Sequence, residues 1–346
     1  MASNRRNFIK KSAAGLSGLA VAQHSLATPH TAPYAGKNER LPREVWIATL
    51  TQQGIQGKNC DEIIRSALQK MDIFLPQQPD IFCLPETFHY WNIQGERPSV
   101  PEMAKTWEAP IVEAMSNFAK NNRCYVIAPI HTLEGGKCYN AAVVIDREGQ
   151  RMGEYRKIRA TEGEIDDGVT PGQPDPPVFQ TDFGTIGIQI CFDVQWRDGW
   201  QKLNEKGAEI VFWPSAFGGG KMINTMAWLN KYCVVSSTAK GTTKICDVTG
   251  ETVAQSGQWN PHGVCAAINL EKAFLHTWPY VQKFQDIQTK YGRKVKIYSL
   301  HEEEFSVIES CSPDVKVADI LQEFELKRFE DHIHSAQVKQ EKYRDS

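Results

Sequence analysis

Short apolar runs alternate with amphipathic ones through most of this sequence. EVWIATL (44–50) reads as a strand. CDEIIRSALQKMDIFL (60–75) puts Ile63, Ile64, Ala67, Leu68 and Met71 on one helical face. DIFCLPE (80–86) reads as a buried strand stopped by Pro-Glu. APIVEAMSNFAKNN (109–122) aligns Ile111, Ala114, Met115 and Phe118 as a helix, and RCYVIAPI (123–130) follows as a strand. CYNAAVVID (138–146) and QRMGEYRK (150–157), joined by Arg-Glu-Gly, read as a hairpin leading into a Gly/Pro-rich loop at 161–177. Beyond it come strands at 184–190, 208–214 and 233–238, separated by helices at 196–206 and 222–232. Three short strand-like runs lie at 244–247, 252–255 and 263–270. This rhythm predicts an α/β fold, a mixed sheet covered by helices, in one domain of about 270 residues.

The flanks differ from this body. The first 27 residues combine Arg5-Arg6, Phe8, Lys10 and Lys11 with an Ala/Gly-rich run from Ser12 to Ala22. That pattern resembles a twin-arginine export signal, with cleavage after Ala22 or Ala27. The apolar run is too short to span a bilayer. Export to the bacterial periplasm or beyond, with no membrane anchor after cleavage, is therefore expected. Either cut removes four cations and no acid, moving the formal charge from −2 to −6. Residues 28–42 read as a linker, 43–300 as the body and 301–346 as a polar C-terminal arm for docking or subunit contact. The charge balance and the lack of a basic patch exclude nucleic acid as an expected partner. There are nine cysteines but no C-x-x-C or close His/Cys cluster, so no metal is expected. Cys83, Cys124, Cys233 and Cys265 lie in or beside apolar runs and read as small buried hydrophobes.

Three side chains of unusual chemistry end such runs. Glu86 follows IFCLP at a strand's C-terminal end, where α/β sheets place their sites. Lys157 ends the second hairpin strand, in YRKIRATEGE. Cys191 ends GTIGIQI and precedes FDVQWRDGWQKL, with Asp193 as the expected helix N-cap. A thiol at a strand-to-helix turn faces free backbone N–H groups and the positive end of the helix dipole. Taken singly, Glu86 and Lys157 read as solvated strand-end charges and Cys191 as a structural cysteine. Together they supply a base, a cation and a nucleophile.

CLPETF, YRKIRATEGE and ICFDVQW with GAEIVFWPSAF, in that order, resemble the three motifs of the nitrilase superfamily, the carbon–nitrogen hydrolases. The resemblance covers roughly 44–300. It implies a four-layer α-β-β-α sandwich, a Glu86–Lys157–Cys191 triad, homodimers or higher homo-oligomers, and no cofactor. Family members often carry a second glutamate shortly after the lysine. Thr161 and Glu164 fit the family spacing and favour Glu164 over Glu162. The implied mechanism has Glu86 as general base, Cys191 attacking a carbonyl or nitrile carbon, and Lys157 with the Phe192 backbone N–H holding the oxyanion.

The substrate expected is a linear amide or N-carbamoyl compound, because Cys191-Phe192-Asp193 is nearer to the amidase and carbamoylase branches than to Cys-Trp-Glu nitrilases. Val194 and Gln195 stand where some carbamoyl-amino-acid hydrolases carry arginines, so that specificity is not implied; Arg197 is a substitute or a surface charge. Pocket candidates are Phe88, His89, Tyr90 and Trp91 after the glutamate, Trp196, and Ser215, Ala216 and Phe217 after VFWP. Alternatives are a nitrilase, an acyl transferase or a non-catalytic exported binding protein on the same fold. GGGK at 218–221 lacks the rest of a phosphate loop.

Overall fold

The computed structural model describes residues 40–344. The signal segment 1–27, its cleavage points and the linker as far as residue 39 lie outside the described residues.

Side-chain alternation builds the layers. In β1 (Glu44–Leu50), Val45 and Ile47 join one core while Ala48 and Leu50 join another. The same division splits Ile81 and Cys83 from Phe82 in β2 (Ile81–Cys83), and Tyr125 and Ile127 from Val126 and Ala128 in β3 (Tyr125–Glu134). A period of two with both faces apolar is the signature of a sheet covered on both sides. These strands form one six-stranded sheet with β4 (Lys137–Ile145), β5 (Arg151–Arg156) and β12 (Gly263–Asn269), in the order β12-β1-β2-β3-β4-β5. Its outer core is closed by α1 (Cys60–Asp72) and α2 (Val100–Asn122), through Ile63, Ala67 and Met71, and Ile111, Met115 and Phe118.

The second sheet follows the same rule. It runs β11-β10-β9-β8-β7-β6 from β6 (Val178–Gln180), β7 (Thr185–Ile188), β8 (Ile210–Ser215), β9 (Cys233–Thr238), β10 (Lys244–Cys246) and β11 (Thr252–Gln255). Ile186, Ile188, Ile210, Phe212, Cys233 and Val235 face the first sheet's Val45, Ile47 and Ile127 in a shared core. Val211, Trp213 and Val234 turn outward to α4 (Asp198–Glu205) and α5 (Lys221–Asn230). The result is the four-layer α-β-β-α sandwich. Small polar residues join the sheets at the centre: the Ser237 hydroxyl lies 2.7 Å from Leu50 O and 3.0 Å from Cys83 O, and Thr49 Oγ1 donates to Ser236 O at 2.6 Å. The central pairs β1–β2, β2–β3, β7–β8 and β8–β9 are parallel, so their C-terminal ends share one edge in each sheet.

Four local departures from the sequence reading have physical causes. Helix α2 starts nine residues before Ala109, because Ser99 caps it and Pro110 is carried inside the helix rather than opening it. The loop 161–177 contains α3 (Glu162–Asp166), started by a capping box between Thr161 and Glu164. Asp193 is not the N-cap of a helix running on from Cys191: residues Cys191–Gln195 form one 3-10 turn and α4 begins at Asp198. The Asp193 carboxylate instead accepts from Ile190 N–H at 2.8 Å, which closes the turn on itself. The segment 301–346 is built into the body at its start. Strand β15 (Phe305–Ser310) is the middle of a third sheet, between β13 (Lys272–His276) and β14 (Val295–Leu300). Helices α6 (Val281–Tyr291) and α7 (Val317–Glu323) pack on it through Ile287, Ile320 and Leu321, before the exposed α8 (Phe329–Arg344).

All nine cysteines are free. Cys83, Cys124 and Cys233 are buried, whereas Cys265 is half-buried. No described helix is long and apolar enough to cross a membrane, and the described residues contain no group of three or more metal-ligating side chains.

Candidate active site

Strand ends deliver the reactive side chains to one place. Glu86 lies just past β2 in the first sheet, Lys157 directly follows β5, and Cys191 lies past β7 in the second sheet. The Lys157 N–H donates to Asn140 O at 2.8 Å, which fixes the lysine against β4. Cys191 and Thr87, the neighbour of Glu86, are both non-glycine residues in the left-handed region, with φ of 46° and 40°. Such conformations are uncommon and persist where surrounding structure holds them. At Cys191 the hold is visible: Asp193 grips Ile190 N–H, and the Trp213 indole N–H donates to Cys191 O at 3.0 Å.

The four groups Glu86, Lys157, Glu164 and Asn140 form a closed figure. Lys157 Nζ donates to Glu86 Oε1 at 2.8 Å and to Glu164 Oε2 at 2.7 Å. Asn140 Nδ2 donates to Glu86 Oε1 at 2.9 Å and to Glu164 Oε1 at 2.7 Å. Glu164 is steadied from its own helix start, where the Thr161 N–H and hydroxyl donate to Oε2 at 2.8 and 3.0 Å. Lys157 is 2% exposed and Glu86 3%, so neither is a solvated strand-end charge. Glu86 Oε2 is buried and has no hydrogen-bond partner among the described residues. An unpartnered buried carboxylate oxygen is costly unless something arrives to use it.

These residues floor a cavity of about 340 Å³ lined by Glu86, Asn140, Lys157, Glu164 and Cys191, with Tyr90, Trp91, His131 and Ala216 on its walls. Burial pushes the Cys191 thiol up to about 12, and the Glu86 charge adds to this; Lys157, the Ser215 hydroxyl and the Ala216 N–H oppose it without prevailing. Burial disfavours the Lys157 charge, but Glu86, Cys191 and Glu164 outweigh it and hold the ammonium well above the ordinary lysine range. Burial also raises Glu164, yet Lys157, Thr161 and Asn140 bring its carboxyl below the ordinary value. Asp193, 1% exposed, is pushed up to about 6 by burial, although Tyr155 O–H, Ile190 N–H and Arg159 N–H all donate to it.

The remaining sequence candidates divide. Trp91 and Ala216 line the cavity, and the Trp91 indole donates to Glu86 O at 2.8 Å. Phe88 does not line it: the ring is fully buried in the core under α1 and α2. His89 lies one layer behind, with Nε2 3.1 Å from Nδ1 of His131, which does line the cavity. Ser215 is buried beside the thiol and accepts from Phe217 N–H at 3.1 Å. Phe217 packs edge-on against Trp213, away from the lining. Trp196 is 38% exposed and packs on Phe192 at 5.0 Å, again off the lining. Glu162 and Arg197 are exposed. Sequence reasoning missed Asn140, His131, Arg97 and Asp167. Asn140 carried a signal, a lone amide inside the apolar run CYNAAVVID; the other three carried none.

Residues 47–274 match the model of the carbon–nitrogen hydrolase family, about two thirds of the chain. Among curated relatives, the chain is 28% identical over 173 residues to the deaminated glutathione amidase of Synechocystis sp., covering 46% of this chain and 62% of the relative. It is 30% identical over 169 residues to the citrullinase of Francisella tularensis, covering 45% and 54%, and 31% identical over 146 residues to the N-carbamoylputrescine amidase of Arabidopsis thaliana, covering 40% and 48%. The chain thus spans about half to three fifths of the length of these relatives. Among solved structures, a carbon–nitrogen hydrolase from Helicobacter pylori superposes with a TM-score of 0.59 at 18% identity, over 72% of this chain and 94% of that one. An amidase from Nesterenkonia sp. superposes at 0.57 and 15% identity, over 66% and 90%. Those two likenesses carry the fold. With the family model spanning both six-stranded sheets, the chain belongs to the carbon–nitrogen hydrolase family of the nitrilase superfamily.

Proposed function

We propose that this enzyme hydrolyses the non-peptide C–N bond of a small linear amide or carbamoyl compound through a thioester on Cys191. The observation that carries this is the pairing of a buried thiol with a buried, half-used carboxylate. Oε1 of Glu86 is taken by Lys157 and Asn140, whereas Oε2 is unpartnered. Oε2 accepts the thiol proton as Cys191 Sγ forms its bond to the substrate carbon. The carbonyl π electrons move onto oxygen, giving a tetrahedral oxyanion. Lys157 has three N–H donors, of which Glu86 and Glu164 use two; the third, with the Phe192 backbone N–H, holds the oxyanion.

Collapse of that intermediate breaks the C–N bond, and the departing nitrogen takes the proton from Glu86. Water then attacks the thioester, giving its proton to Glu86, and release of the acid returns that proton to sulfur. Burial disfavours the thiolate, so attack needs a base beside the sulfur to take its proton. The family's amide and carbamoyl hydrolases favour this substrate class over nitriles.

The test is a turnover screen of simple amides, ω-amides, carbamoyl compounds and nitriles, with Cys191→Ala as blank and intact-mass detection of the acyl-enzyme. Turnover of amides or carbamoyl compounds, with an adduct on Cys191, is expected. Full activity in Cys191→Ala overturns the mechanism, and exclusive nitrile turnover overturns the substrate class.

A further inference from the structure

The floor charges are satisfied by one another, but two charges at the edge of the same cavity are not. Arg97 and Asp167 both line it, both are exposed, and neither forms an ion pair among the described residues. The Arg97 guanidinium lies 4.3 Å from the centre of the Tyr90 ring. Tyr90 is itself packed edge-on against Trp91 at 5.8 Å and His131 at 5.7 Å. A cation–π contact holds the guanidinium plane while leaving its N–H donors unused. Asp167 follows the last residue of α3, where its backbone N–H is bonded to Gly163 O at 3.0 Å.

Packing brings these two segments together. A Cβ placed on Gly168 would meet the Pro101 ring at 3.3 Å, so the end of α3 abuts the start of α2. Val100 and Val169 line the cavity, sharing one apolar cluster with Tyr90. The rim thus offers a planar cation and an anion beside an apolar wall, in the cavity that Cys191 also lines. The floor has two carboxylates, Glu86 and Glu164, against one ammonium, Lys157. That surplus disfavours a substrate whose far end is a lone anion, and a far end carrying both signs avoids the conflict.

We propose that the rim reads an amino-acid head group: Arg97 takes a carboxylate and Asp167 an ammonium on the non-reacting end of the substrate. The intervening methylenes lie along Tyr90, Val100 and Val169, and the terminal carbamoyl group reaches Cys191. The substrate class is then a zwitterionic amino acid ending in a carbamoyl group, an assignment that rests on the hydrolase chemistry proposed above. Arginine suits the carboxylate because its fork matches two oxygens at once.

A matched set of amides tests this: valeramide, glutaramate, δ-aminovaleramide and L-glutamine, which carry neither charge, the carboxylate, the ammonium and both. KM and kcat are measured for each with the wild type, Arg97→Gln and Asp167→Asn. L-glutamine binding to Cys191→Ala, with and without Arg97→Gln, is followed by calorimetry. KM for L-glutamine is expected at least about tenfold below that for valeramide. Arg97→Gln raises KM about 10- to 100-fold for glutaramate and L-glutamine relative to its effect on valeramide. Asp167→Asn does the same for δ-aminovaleramide and L-glutamine. Equal KM across the set in the wild type, or variants that shift all four amides alike, overturns the head-group assignment and leaves the hydrolase standing. Absence of turnover and of acyl-enzyme, with Arg97-dependent binding of L-glutamine to Cys191→Ala, overturns the hydrolase and leaves the head-group site standing.

Discussion

The floor and the rim of one cavity are built on opposite principles. On the floor, Glu86, Lys157, Glu164 and Asn140 are mutually hydrogen-bonded within 2.7–2.9 Å, and three of the four are at most 3% exposed. At the rim, Arg97 and Asp167 are exposed and have no counter-ion among the described residues. Buried charges must be paired to exist at all, so each floor residue is constrained by the others and their geometry is fixed before any substrate arrives. Exposed charges have no such obligation, and either rim residue is replaceable without unfolding the chain. On the readings proposed above, the chemistry sits where a substitution disturbs several partners at once, and the selectivity where it disturbs few.

This contrast has consequences that separate kcat from KM. The largest effect is expected from Glu86→Gln, which removes the unpartnered acceptor oxygen. A general base contributes about 100- to 10,000-fold, so kcat falls by that order in steady-state assays while the thermal midpoint stays near that of the wild type. A Glu86→Gln enzyme with near-normal kcat breaks the assignment of the floor. Next comes Asn140, which donates to both carboxylates. Asn140→Ala is expected to lower kcat about tenfold or more, as lost charge-assisted bonds do, with little change in KM. Asn140→Asp, of equal size, sets a third carboxylate between the other two. It should be worse than alanine near neutral pH and recover as pH falls, and the reverse order would show that Asn140 only fills space.

The smallest effect lies behind the floor. His131 is pushed down to about 4 by burial, and His89 is also lowered by burial, with a further contribution from His131. The unfolded chain protonates both below about 6.5 and the folded chain does not, so their contribution to stability is present above that value and is lost as pH falls. Asp193 acts in the opposite sense. Its folded carboxyl titrates near 6, above the ordinary value, so it adds stability as pH falls through 6 and loses it as pH rises. Asp193→Asn is therefore expected to steepen the loss of stability between pH 7 and 5, by on the order of 1–2 kcal/mol. Urea midpoints of both proteins at the two pH values measure it, and parallel slopes would refute the titration of Asp193 in this window.

What was legible in the sequence follows the same division. The period-two strands announce themselves because a strand covered on both faces has little tolerance for polar residues, as Ile81, Phe82 and Cys83 show. Glu86 was visible because it closes such a run with a charge that burial otherwise rejects, and Lys157 and Cys191 became visible in combination with it, through the order of the three motifs. Asn140 was within reach for the same reason. Arg97 and Asp167 were not, since exposed charges in loops look alike until packing shows which of them border a cavity. The turn at Cys191 was misjudged because an N-cap and a turn-closing carboxylate use the same residue type, and Asp193 is the second. Phe88 and Trp196 were misplaced because aromatic residues near a motif serve the core or the surface as readily as a pocket. Strand β15 was hidden by the polar residues that surround a short buried run, Phe305–Ser310.

The path of β12 bears on how this protein reaches an active state. After building every other strand of the first sheet and then all six of the second, the chain returns to pair Glu44–Leu50 with Gly263–Asn269. Pairing strands so far apart in the chain raises the contact order, which slows folding. Glu86 and Lys157 stand on the sheet to which the chain returns, and Cys191 on the other. Neither sheet alone carries Glu86, Lys157 and Cys191, so the proposed base and nucleophile meet only where the two sheets pack on their shared core.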